Sequence, residues 1–256
     1  MSVMGQSLDR VSGSRVALVT WASSDIGAAT IQALAQSGAD LALAVDSEPS
    51  PHFMESLRSY GGRAVWFPIT GSLNGVQAAQ LVRSVVATLG RIDLLVANTV
   101  RRVEGQIDVE DVDEDALDEQ MATDVRGVIA LMKATAKQMS DGGRIVALGS
   151  SLADRVGTPG LADFASTRAA ITAFCRGAAH DLGPRGITVN VVQIGAIEAQ
   201  SDQGLSREML AAEREANVLR RLGKPSEVAD AIMFLLGPGA AFITGSVLNV
   251  DGGYNA

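Results

Sequence analysis

Seven short runs dense in Val, Ile, Leu and Ala recur along this chain, with stretches of helical period between them. Arg15–Thr20, Asp40–Val45, Ala64–Phe67, Ile92–Ala97, Arg144–Leu148, Ile187–Val192 and Ser246–Val250 read as strands. Their apolar residues are nearly continuous rather than alternating, as in strands covered on both faces. Asp25–Ser37, Gly75–Leu89, Ala116–Met139, Phe164–Leu182, Arg207–Leu219 and Ser226–Leu236 read as the intervening helices. Strand–helix alternation with right-handed crossovers predicts a single-domain α/β fold, a doubly wound parallel seven-stranded sheet with helices on both faces. Gly38, Gly90 and Gly183 fall where helices should stop. No repeat or Pro-rich linker divides the chain, so one domain is expected over 15–256, after a short polar tail over 1–14. In such sheets ligands sit beyond the carboxyl ends of the strands, at the switch point. The turns after the first, fourth and fifth strands are therefore where chemistry is to be sought.

Composition narrows the function. Of 256 residues 47% are apolar, enough for a large core, and the formal charge of −8 disfavours a general nucleic-acid or anionic-membrane binder. Cys175 is the single cysteine and His52 and His180 the only histidines, so neither a disulfide nor a Cys/His metal cage is expected. Met1–Ser14 has no apolar signal core, and no apolar run approaches the roughly 20 residues that span a bilayer. A soluble cytoplasmic protein is the expectation.

From Arg15 to Tyr254 the layout resembles the short-chain dehydrogenase/reductase family, its ketoacyl-reductase-like branch in particular. The residues that carry the resemblance are Thr20-x-Ala-Ser-Ser-x-Ile-Gly27, Gly90-Arg-Ile-Asp-Leu-Leu-Val-Ala-Asn98, Gly186-Ile-Thr-Val-Asn190, Arg221-Leu-Gly-Lys-Pro-Ser-Glu-Val-Ala, Ile243-Thr-Gly and Val250-Asp-Gly-Gly-Tyr254. The resemblance implies a Rossmann-like domain, a nicotinamide dinucleotide on the first turn, and a Tyr–Lys pair that moves a proton to or from the substrate oxygen.

The functional positions depart from that pattern. Trp21 and Asp25 stand where the family carries glycines, and Gly27 remains. An indole at 21 is expected to fill cofactor space, and a carboxylate at 25 to face the diphosphate. One such like-charge pair at about 4 Å and a dielectric of about 20 costs on the order of 4 kcal/mol, roughly a thousandfold in affinity. Ile69 replaces the acid that the family sets against the adenine, and Val100 fills the room of a glycine after Asn98. Asp46, where an acid bonds the ribose of NAD in the family, reads rather as a solvated turn residue once its neighbours are lost. At the catalytic positions Phe164 replaces the tyrosine, Arg168 the lysine one turn on, and Asp124 the asparagine of the preceding helix; Ser151 remains, thirteen residues before Phe164. Phenylalanine has no proton to give, and losing a general acid typically costs about 10²–10⁴ in rate. Neither Tyr60 nor Tyr254 has a lysine four residues on.

A scaffold kept without its chemistry is the resulting expectation: no catalytic residue and no cofactor on this chain. The chain is read as the inactive subunit of a heterodimer or heterotetramer whose active short-chain dehydrogenase partner holds NAD. The resemblance implies, for the complex, oxidation of a β-hydroxyacyl-CoA such as hydroxybenzylsuccinyl-CoA. A stripe at Ala165, Ala169, Ala173 and Gly177 suits either a subunit interface or the chain's own sheet. Glu104–Glu119, nine acids and no base, is a solvated rim or a surface for a basic partner, and Arg101-Arg102 lie near the expected cofactor mouth. Two alternatives stay open. Asp124, Ser151, Asp163 and Arg168 gather as a cofactor-free proton-transfer or dehydration site, unless Asp124 and Arg168 form a buried ion pair; or the pocket binds a metabolite and signals by association.

Overall fold

A computed structural model describes residues 14–98, 102–108, 113–198 and 207–256, with backbone alone at 207–210. Seven strands form one parallel sheet: β1 (Val16–Thr20), β2 (Asp40–Val45), β3 (Ala64–Pro68), β4 (Leu94–Ala97), β5 (Arg144–Ser150), β6 (Thr188–Ile194) and β7 (Val247–Val250), in the order β3-β2-β1-β4-β5-β6-β7. The order reverses at β1, whose Val19 registers with Leu43 of β2 on one side and Val96 of β4 on the other. The crevice between β1 and β4 is the switch point.

Helices cover both faces. α3 (Gly75–Leu89), α5 (Val128–Gln138) and α6 (Ala162–Leu182) pack on the face that receives Val16 and Leu18. α1 (Asp25–Gln36), α2 (Pro51–Arg58) and α8 (Pro225–Leu236) pack on the other, against Ala17 and Val19. Successive side chains alternate between two cores, which is why the strands read as unbroken apolar runs. Among the described residues no helix is long and apolar enough to cross a membrane.

Three elements differ from the sequence reading. α2 was not foreseen, because only Met54 and Leu57 of its eight residues are buried and the periodic signal is short. Its start was legible in Ser50-Pro51: the Ser50 side chain accepts from Phe53 N, and proline fits the first turn. The helix expected over Ala116–Met139 begins at Glu114 as α4 (Glu114–Met121) and passes through a π-helical turn, Ala122–Gly127, into α5. α7 (Arg207–Glu215) stops short of Leu219. Asn217 Nδ2 takes the carbonyls of Glu213 and Arg221, and Arg220 adopts φ +52°, so the chain turns there.

The small-residue stripe of α6 divides. Ala165 is buried, whereas Ala169, Ala173 and Gly177 are exposed, so most of the stripe faces away from the sheet.

Candidate functional site

Beyond the carboxyl ends of the strands lies a chamber of about 790 Å³. As the topology requires, the turns after β1, β4 and β5 supply Ser23–Ile26, Asn98 and Leu148–Leu152 to its wall. The end of β6, Ile194–Glu198, adds one side; Arg102, Phe164 and Arg168, Ala212 and Glu213 of α7, and Asp251 and Tyr254 of the carboxyl-terminal tail are also on the wall.

The first turn is held by polar contacts within the protein. Asn98 N donates to Thr20 Oγ1 (3.1 Å), and Asn98 Nδ2 reaches Trp21 O (3.2 Å) and Ser24 Oγ (3.0 Å). Ser24 caps α1 by accepting from Gly27 N at 3.0 Å. Trp21 keeps the left-handed backbone that a glycine adopts freely, at φ +50°. For a residue with a Cβ that conformation costs roughly 1–2 kcal/mol. The indole is half-buried and packs against the cluster that contains Ala44, Ile69 and Ala97, while Trp21 N donates to Ala44 O at 2.9 Å. The ring is not part of the chamber wall. Ile69 is buried in that cluster, with its N–H on Val45 O, and Asp46 is exposed with Ser47 Oγ at 3.3 Å. Neither touches the chamber, whose described wall has no residue of β2 or β3. Asp25 does line it, at the first residue of α1, where a carboxylate complements the helix dipole. Gly27 is retained for packing: a Cβ there would meet the Ala22 backbone at 2.9 Å. Val100 and Arg101 lie outside the described residues.

The catalytic positions have become an ion-pair stack. The π-helical turn buries Asp124 completely, and α6 brings Arg168 against it, Arg168 Nη2 donating to Asp124 Oδ2 at 2.8 Å. Burial lowers the Arg168 guanidinium from its ordinary value, and the Asp124 carboxylate opposes that shift. One turn earlier on α6, the Phe164 ring lies with its centroid 4.5 Å from the Arg168 guanidinium and 5.7 Å from that of Arg102. Arg102 in turn holds Glu104 at 2.7 Å. Charge and ring thus alternate from Arg102 through Phe164 and Arg168 to Asp124. Both charged side chains at the buried end hold each other, so of the two expectations for Asp124 and Arg168 the buried ion pair is the one seen. Ser151 is buried on the chamber wall; Asp163 is half-exposed in the first turn of α6 and absent from the wall. Among the described residues no group of three His, Cys, Asp or Glu gathers as a metal site.

Sequence reasoning missed the tail. Tyr254 lines the chamber because Gly252 and Gly253, at φ +64° and +85°, turn the chain back over it. Its hydroxyl accepts from Gly157 N (3.2 Å), the Arg155 guanidinium stacks on its ring at 4.9 Å, and Asn255 Nδ2 donates to Ser151 O at 3.1 Å. The Gly-Gly-Tyr text was in view, but motif spacing tests only neighbours in sequence. Ser150 and Asn217, also on the wall, carried no sequence signal.

A family model described as enoyl-(acyl carrier protein) reductase matches residues 21–255. The cis-4-hydroxycyclohexanecarboxylate dehydrogenase of Sinomonas cyclohexanicum is 34% identical over 244 residues, which cover 94% of this chain and 97% of that protein. A short-chain dehydrogenase/reductase from Serratia marcescens BCRC 10948 superposes with TM-score 0.86 at 35% identity, covering 94% of this chain and 98% of that one. A short-chain dehydrogenase from Burkholderia cenocepacia J2315, solved in complex with NADP, gives TM-score 0.85 at 35% identity with the same coverage.

Proposed function

The chain belongs to the short-chain dehydrogenase/reductase family, and from that premise we propose that it is a non-catalytic subunit of an oxidoreductase complex, paired with an active dehydrogenase of the same fold that binds the nicotinamide cofactor. The observation that carries this reading is the Asp124–Arg168 pair under Phe164, which occupies the positions of the proton relay with groups that neutralise each other. General acid–base catalysis needs a group that can exchange a proton near neutral pH, and a guanidinium locked on a carboxylate is not one. The same pairing counts against a cofactor-free enzyme built on Asp124, Ser151 and Arg168.

The first turn supports the absence of cofactor on this chain. The relative solved with NADP shows what the family scaffold accepts. Here Trp21 and Ile69 pack in the core beside β1 rather than on the chamber wall, and Asp25 lines the chamber at the start of α1. A carboxylate in place of a turn glycine does not fit a dinucleotide diphosphate. The outward-facing Ala169, Ala173 and Gly177 support close approach by another subunit. For the complex we retain oxidation of a β-hydroxyacyl-CoA, such as hydroxybenzylsuccinyl-CoA, by NAD. Arg102, on the chamber wall, pairs with Glu104 and lies over the Phe164 ring; coenzyme A recognition is proposed for the partner.

Calorimetry with NADH and NADPH on the purified chain tests the reading, alongside the Phe164→Tyr/Arg168→Lys variant. The expected result is no binding at up to about 1 mM ligand (a Kd above about 1 mM leaves less than about 4.1 kcal/mol of affinity), and no dehydrogenase activity in the variant. Micromolar binding, or activity restored by those two changes, overturns it.

A further inference from the structure

Two of the chain's three lysines and two arginines meet in one surface groove. Arg83 of α3, Arg126 of the π-helical turn, and Lys133 and Lys137 of α5 line a cleft of about 590 Å³ whose described wall carries no acid. The cleft shares no residue with the chamber at the carboxyl ends of the strands. All four cations are exposed, and none forms an ion pair with a described residue; Lys133 rests over the Phe174 ring at 5.8 Å. Seven other described arginines each hold a carboxylate.

The helix dipole accounts for one of the four. Lys137 stands in the last turn of α5, where a cation is favoured. Arg83 is in the middle of α3, and Arg126 and Lys133 precede that last turn, so no such field holds them. Lys133 and Lys137 are one turn apart on one face, a spacing at which like charges destabilise a helix. An anion in the groove relieves that repulsion. Ala79, Val82, Ile129, Ala130 and Ala134 make up most of the remaining wall. A cleft of one charge sign with apolar, low-dielectric walls focuses its own field, even on a chain of net charge −8. Its volume suits a small molecule. Four cations in that space call for more than the single charge of a carboxylate. A terminal phosphate carries about −1.5 to −2 near pH 7, so two or three linked phosphates balance the groove. Guanidinium forks, as on Arg83 and Arg126, bind phosphate through two parallel hydrogen bonds. We propose that the α3/α5 groove is a binding site for a small oligophosphate, either a free condensed phosphate or the phosphate chain of a nucleotide. This goes beyond the non-catalytic reading and holds whether or not the chain turns over a substrate.

Calorimetry with tripolyphosphate on the purified full chain tests it, beside inorganic phosphate and ATP as further probes. Two variants remove the same charge at exposed positions: Lys133→Gln/Lys137→Gln inside the groove and Arg214→Gln/Arg220→Gln outside it. Circular dichroism confirms that each is folded. The wild type is expected to bind tripolyphosphate with a Kd below about 100 μM at low salt, and at least about tenfold more weakly in high salt, where exposed charges are screened. The groove variant is expected to lose at least about tenfold in affinity and the outer variant to match the wild type. ATP that binds like tripolyphosphate assigns the site to the phosphate chain alone, and tighter ATP binding that the groove variant also weakens assigns it to a nucleotide. NADPH binding that the groove variant removes belongs here, and binding that survives it belongs to the chamber, so the two readings fail separately. A wild type that does not bind tripolyphosphate, an equal loss in both variants, or inorganic phosphate bound as tightly as tripolyphosphate overturns the proposal.

Discussion

At the scale of single residues, burial sets the terms. Asp124 and Arg168 are 0% and 4% exposed, and a charge removed from water at that depth is tolerated only while paired. Asp124→Asn is therefore expected to lower the free energy of unfolding by about 3–5 kcal/mol in urea denaturation, because Arg168 is left buried without its counter-ion. Adding Arg168→Met should recover most of the loss, since an apolar side chain needs no partner there. If the single variant matches the wild type, the pair is not what holds α6 to the π-helical turn. Gly27 and Trp21 show the same economy in the backbone. Gly27 has no room for a Cβ beside Ala22, and Trp21 holds a glycine-like φ of +50° while its ring packs. Substitution at 21 was legible in the sequence. That the indole would pack against the α3–α5–α6 core was not, because a residue's neighbours across a sheet are invisible to its own spacing.

At the scale of elements, ends decide more than middles. Ser24, Ser50 and Asn74 each cap a helix with a side-chain oxygen, and all three can be picked out in the sequence as polar residues just before a helical period. α8 is started differently. Glu227 accepts from Lys224 N at 2.8 Å and holds the Arg221 guanidinium through both oxygens. The hydrogen bond from Arg221, and then that from Lys224 N, pull its carboxyl from the usual 4.5 to about 2. A folded value below the unfolded one contributes stability above about pH 4.5, and the contribution is lost as pH falls toward 2. A carboxyl-carbon NMR titration should find Glu227 ionised well below pH 4, and Arg221→Gln should move its midpoint upward. An ordinary midpoint in the wild type would show that the Arg221 contact is not kept in solution. The π-helical turn belongs here too. Continuous helical text from Ala116 to Met139 gives no sign of a widened turn, and Asp124 becomes buried only where α6 packs across it.

At the scale of the whole molecule, one sheet separates two cores, and Cys175 reports on one of them. Burial in the α3–α5–α6 core pushes its thiol up to about 12, so at pH 8 it is protonated and out of reach of solvent. Its reaction with a thiol reagent should then proceed only as fast as the protein opens, and accelerate with denaturant in step with unfolding; rapid labelling of the native protein would mean that α6 detaches locally. The sequence by itself determined the seven-stranded parallel fold, since burial on both faces of a sheet writes itself into every strand as unbroken apolar text. It also determined that the tyrosine, the lysine and two turn glycines of the family are absent, since identity at a position needs no coordinates. Tertiary structure alone decided that Asp124 and Arg168 face each other under a ring, that Tyr254 arrives from the tail, and that four cations share a groove. Each of these depends on residues between 44 and 99 positions apart, or on neighbouring helices, coming into contact, and only the packing of helices on a finished sheet fixes such distances.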